Sequence, residues 1–131
     1  MSMYEVNSVL VNHILEITEY PIVWEGKNTT PDYSNPYLEV VSLPSMMDGV
    51  QTWDKYGGVY QINIHHPLNT GLPVLYKDAD SIVSSFTPNS LLNYDDTYVR
   101  IKSRYIGSLS KTKDSLVLSV YVSWRSSFKQ N

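Results

Sequence analysis

The adjacent pair His65-His66, followed by Asp78 and Asp80, is the cluster in this sequence best equipped to hold a metal ion and activate water. Imidazole nitrogens and carboxylate oxygens are the ligands such an ion needs where thiolates are missing. Neighbouring residues on a strand point to opposite faces, so both histidines reach one ion only if the chain turns between them. Pro67 allows such a turn. The plainer reading is a surface histidine beside a turn, and the enzymatic one is a small metal-dependent hydrolase built around His65 or His66. His13 falls on the apolar stripe of a helical segment, where a hydrogen-bonded core histidine is the common outcome. Asp95-Asp96 and Asp78-x-Asp80 are carboxylate pairs of the kind acid–base catalysis uses, but they sit among loop and helix-surface residues, where a solvated face explains them.

Other chemistries lack their residues. With no cysteine among 131 residues, disulfides, zinc–thiolate sites and cysteine nucleophiles are excluded. No G-x-S-x-G elbow, P-loop or G-x-G-x-x-G follows a strand-like run, so the many serines have no implied base or oxyanion hole. The expectation is a protein with no catalytic residues, no cofactor and no metal. A formal net charge of -3 gives no field to capture phosphate backbones, which excludes tight binding of DNA but not its passage. The first ten residues lack the pattern of a secretion signal and no run of 18 apolar residues occurs, so neither secretion nor membrane insertion is expected. Eleven tyrosines and three tryptophans against two phenylalanines suit half-buried sheet faces and subunit contacts, or stacking platforms for a ligand such as a sugar.

The elements that must position these residues follow from periodicity. Val6, Val9, Leu10, His13, Ile14 and Ile17 recur at helical spacing, Ser2 and Glu5 read as a capping box, and Pro21 lies past the end. A helix over residues 3–18 is about 24 Å long. Ile22, Val23 and Trp24 form a short strand, residues 25–36 a loop, and residues 37–43 a strand ended by Pro44. Asp48-Gly49 and Gly57-Gly58 read as turns around Trp53 and Tyr56. Residues 59–65 alternate as a strand. Asn69-Thr70-Gly71 leads into a second helix whose face is Leu72, Leu75, Tyr76, Ala79, Ile82, Val83 and Phe86, with Pro73 in its first turn. Residues 98–105 form a strand with Arg100 and Lys102 outward, residues 111–114 a turn, and residues 116–124 the most regular strand. Residues 125–131 read as a frayed tail. The order αβββαββ predicts a single α+β domain over residues 1–131: one mostly antiparallel or mixed sheet with two amphipathic helices on one face.

That order, with particular residues in it, resembles the terminator-like proteins that close the tail tube of tailed bacteriophages, including the family related to the lambda terminator. The resemblance is carried by the opening helix; Val23-Trp24-Glu25 with Asn28; Tyr37-Leu38-Glu39-Val40; the run from Gly58 to Ile64 with His66-Pro67; Gly71; Ala79-Asp80-Ser81-Ile82 ending at Phe86; and Val120-Tyr121-Val122. The polar loop of residues 25–36 and the region of Asp95 depart from the pattern. The resemblance implies a non-catalytic virion subunit at the tail–neck junction, assembled in the host cytoplasm. Such a subunit forms a hexameric ring on the last ring of tail tube protein, ends tube growth and prepares joining to a head-completion or neck protein. A head–tail connector of the same general fold is the alternative. Met46, Met47, Trp53 and Tyr56, apolar residues in an expected loop, are the candidates for subunit contacts, or else fold back on the domain's own core.

Overall fold

The computed structural model describes residues 3–24, 31–45, 55–94 and 97–127. The elements in chain order are helix α1 (Met3–Ile17), strands β1 (Ile22–Trp24), β2 (Tyr37–Ser45) and β3 (Lys55–Pro67), helix α2 (Leu72–Ser85), and strands β4 (Leu91–Tyr94), β5 (Thr97–Lys111) and β6 (Ser115–Ser127). The strands form one six-stranded sheet in the order β1-β2-β3-β6-β5-β4. Among the described residues only β1 runs parallel to its neighbour β2, and the other pairings are antiparallel. The sheet is therefore mixed, as the sequence predicts.

Alternation decides which side of the sheet is dry. Leu38, Val40, Tyr60, Ile62, Ile64, Leu118, Val120, Val122 and Trp124 are even-numbered positions of β2, β3 and β6 and are all buried. Strand pleating puts them on one face. There they meet Val6, Val9, Leu10 and Ile14 of α1 and Leu75, Ala79, Ile82 and Phe86 of α2 in one core cluster. Helix α1 lies over β4 and β5, and α2 over β3, β5 and β6. The two helices thus share one face.

Gly71 enters α2 with φ at 88°, a left-handed conformation that glycine adopts without a Cβ penalty. Pro73 follows in the first turn, where its missing N–H goes unused. Leu72 and Tyr76, expected on the buried face, are 43% and 44% exposed, and the face narrows to Leu75, Ala79, Ile82 and Phe86. Ser2 lies outside the described residues, and the Glu5 carboxylate accepts from the Thr97 hydroxyl at 2.8 Å, tying α1 to the start of β5.

Several expected boundaries move, and β5 runs past its expected end at residue 105 to Lys111. Pro44 does not end β2, because β1 covers only Leu38 to Val40 of that strand and the uncovered stretch beyond is an edge that tolerates a missing donor. Gly57 and Gly58 are not a turn; they lie inside β3, opposite Ser45 and Pro44 on one side and Arg125 and Trp124 on the other. The first of the later strands, β4, fills part of a stretch whose sequence is irregular. It is held by Asn89, which has φ at 65° and whose N–H donates to the Ile101 carbonyl at 2.7 Å. Strand β6 continues through Ser127, three residues into the expected tail, because β3 and β5 flank it there on both sides.

Candidate functional site

The chain does not turn between His65 and His66. Strand β3 runs straight through both to Pro67, and the turn comes only afterwards. Their side chains therefore take opposite faces of the sheet. Among the described residues no group of three or more histidine, aspartate or glutamate side chains is arranged to hold a metal ion. Both histidines are buried, contrary to the expected surface position: β2 and β6 flank His65, while His66 lies against Asp78 of α2 and the Tyr20 ring.

On the helical face, His66 Nε2 lies 2.6 Å from Asp78 Oδ2. The Tyr20 hydroxyl donates to the same oxygen at 2.9 Å, and the Tyr20 and His66 rings meet edge to face at 5.7 Å. Burial first, and then the Asp78 carboxylate, push the Tyr20 phenol up to about 12. Asp78 is thus not merely solvated: it joins β3, α2 and the segment after α1. Asp80, two residues on, is exposed. His13 behaves as a core-facing histidine, with Nε2 2.9 Å from the Ser85 carbonyl and its ring against Phe86 at 4.5 Å.

Among the described residues the other face of the sheet carries no helix, and it bears a polar network. The Asn63 amide donates to Glu39 Oε1 at 3.0 Å, while Asn63 Oδ1 accepts from Gln61 at 2.9 Å and from Ser119 at 2.7 Å. His65 stacks on Tyr37 with ring centroids 4.3 Å apart. Its Nε2 lies 3.3 Å from Glu39 Oε1 and its Nδ1 3.2 Å from Ser115 Oγ. Burial, outweighing the Glu39 carboxylate, holds the His65 imidazole below its ordinary range. Tyr37 is raised, first by burial and then by Tyr33 and Glu39. Further along, Tyr105 and Tyr121 stack at 4.9 Å.

Ser115, His65 and Glu39 stand in the order of a hydrolase triad, a juxtaposition of three strands that no sequence spacing reveals. The arrangement is a structural one. Ser115 is 3% exposed and its hydroxyl also bonds Thr112 at 3.0 Å, where that threonine closes the β5–β6 turn by accepting from the Ser115 N–H. The Ser115 hydroxyl is thus buried and engaged in closing the turn. A groove of about 460 Å³ lies beside β1, lined by Tyr20, Pro21, Ile22, Pro31, Pro36 and Tyr37 among others. It holds no convergent ionisable pair; Asp32 at its rim is lowered by hydrogen bonds from Ser34 and Asn35.

Of the candidate contact residues, Met46, Met47 and Trp53 lie outside the described residues, as do Asp95 and Asp96. Tyr56 is placed in the backbone of β3 opposite Ser126, and its side chain lies outside the description. The apolar and aromatic surface that is described lies elsewhere: Tyr4 and Leu15 on α1, and Tyr98 and Tyr105 on β5, are between 46% and 80% exposed. Sequence periodicity marks Tyr4 and Leu15 as opposite the buried stripe of α1, which is the signal that could have found them.

Comparison with known proteins bears on what this surface is for. A family model described as phage tail terminator protein matches residues 5–124. No curated protein matches the chain. A solved structure aligns over 100% of this chain and 99% of that one with a TM-score of 0.81 at 17% identity, a likeness of fold.

Proposed function

The chain belongs to the phage tail terminator family, and from that premise we propose that it forms a ring on the end of the tail tube, stops tube polymerisation and prepares the tail for joining to the head. Membership makes it a structural protein of the phage tail and a component of the virion. The further steps are our reading. The ring is a hexamer, seated on the last ring of tail tube protein. Its free surface is offered to a head-completion or neck protein, and DNA passes through without specific binding.

The observation that carries this reading is the match of the family model to residues 5–124, which runs from the first turn of α1 into β6. The chemistry of the surface supports it. A ring that closes on itself is built from heterologous contacts, in which one patch of a subunit meets a different patch of the next. The two sides of this domain differ accordingly: one is a helical layer, the other a bare, polar and tyrosine-bearing sheet face. The chain exposes 7994 Å², so two ring contacts of roughly 800 Å² each occupy about a fifth of it. Met46, Met47, Trp53 and Tyr56 are proposed to contribute to these contacts.

Native mass spectrometry of the chain alone and with cognate tail tubes tests the reading. A ring of six copies, free or bound to tubes, is expected. A chain that remains monomeric at high concentration and is not retained on tubes contradicts it.

A further inference from the structure

Residues 97–131 hold seven of the ten basic residues and one of the thirteen acidic ones, so the chain is electrically lopsided although its net charge is only -3. The excess falls on β5 and β6. Arg100 and Arg125 are both exposed and stand directly opposite each other in the register of those strands. Like charges directly opposite repel. Arg100 donates to a neutral acceptor, the Asn89 carbonyl, at 2.9 Å, and among the described residues neither arginine has a carboxylate partner. Tyr98 and Tyr105 stand exposed on the same strand, and tyrosine with arginine is the composition that carries binding energy at interfaces.

The outer side of α1 has the opposite character. Tyr4 and Leu15, three turns apart, are 80% and 55% exposed. Glu16 and, just beyond the helix, Glu19 stand exposed beside them. Two exposed apolar side chains with two carboxylates are the counterpart of a tyrosine surface with two guanidinium groups.

We propose that these two surfaces meet between adjacent copies of the chain: Tyr98, Arg100 and Arg125 of one copy pack on Leu15, Glu16 and Glu19 of the next. The inference rests on the ring reading above. The surfaces belong to opposite layers of the domain, the bare sheet face and the outside of a helix, so one copy engages a neighbour on each side at once. Contacts between unlike patches are those that close rings, and opposed charge fixes their register and suppresses wrong pairings.

Two charge-reversed variants test it, Arg100→Glu with Arg125→Glu, and Glu16→Lys with Glu19→Lys, each checked for native circular dichroism. Either variant alone is expected to need about tenfold more protein than the unmodified chain to cap cognate tail tubes at low salt. An equimolar mixture of the two restores capping to within about threefold, because each reversed patch then finds its complement on the other variant. Capping by either variant at the unmodified concentration overturns the proposal. So does a mixture as defective as its components, which assigns the arginines to another occupant, tube protein or DNA phosphate. Failure of the unmodified chain to cap tubes at all is separate and defeats the ring reading itself. If a reversed variant loses native circular dichroism, the neutral pairs Arg100→Gln with Arg125→Gln and Glu16→Gln with Glu19→Gln replace it. Capping by the unmodified chain then falls with salt and capping by the neutral variants does not; equal salt dependence of all three overturns the proposal.

Discussion

His66 Nε2 lies 2.6 Å from Asp78 Oδ2, and this contact, shared with the Tyr20 hydroxyl, fixes helix α2 against the end of β3. His66 is almost wholly buried, so removing its partner leaves a polar nitrogen without compensation. Asp78→Ala is expected to cost about 1–3 kcal/mol, and Tyr20→Phe, which removes one neutral donor from a carboxylate that keeps the other, about 0.5–1.5 kcal/mol. Urea denaturation with fluorescence detection measures both. Equal stability of Asp78→Ala and the unmodified chain contradicts the assignment.

His65 makes stability depend on pH. Its imidazole is held below the ordinary value of 6.5, chiefly by burial. The unfolded chain therefore takes up a proton at a higher pH than the folded one. The contribution is fully present above about pH 6.5 and is lost as the pH falls from there through the lowered folded value. The expected observation is a midpoint of urea unfolding that drops between pH 7.5 and pH 5, with a smaller drop in His65→Gln. An unchanged drop in that variant assigns the effect to other groups.

A third expectation concerns the bare sheet face. At Gly107 an added Cβ would stand 2.5 Å from Tyr121 Cε2 and 3.3 Å from the Ser119 carbonyl. Gly107→Ala must therefore push Tyr121 aside and disturb its stacking on Tyr105. Overpacking of this kind costs about 1–3 kcal/mol, and the near-ultraviolet dichroism of the tyrosines should change with it. A variant as stable as the parent with an unchanged spectrum contradicts the placement.

The core gives the largest expected loss. Leu118 is fully buried on the central strand β6, under α2. Leu118→Ala is expected to cost about 2–5 kcal/mol, read from the midpoint of urea unfolding; a loss below about 1 kcal/mol contradicts the assigned face.

Much of this fold is legible in the sequence because alternation and helical spacing are local. Leu118, Val120, Val122 and Trp124 announce the dry face of β6, and Val6, Val9, Leu10 and Ile14 that of α1. What is not legible depends on neighbours distant in the chain. Gly57 and Gly58 have the composition of a turn, and only the flanking β2 and β6 make them strand. His66 reads as a residue before a proline turn, whereas thirteen residues of continuous pairing carry β3 past it. The juxtaposition of Ser115, His65 and Glu39 comes from sheet order alone, as does the pairing of Arg100 with Arg125. The family, by contrast, is carried by the order and spacing of many weak segments, and order survives where individual residues are ambiguous.

The central claim is that this chain ends tube growth by closing a ring on the tube. The most direct test is the length distribution of tubes polymerised from cognate tail tube protein, measured by electron microscopy with and without the chain present. Once the chain is added, tubes are expected to stop growing and to carry a ring at one end only. Tubes that continue to lengthen at the same rate, with no ring at either end, contradict it.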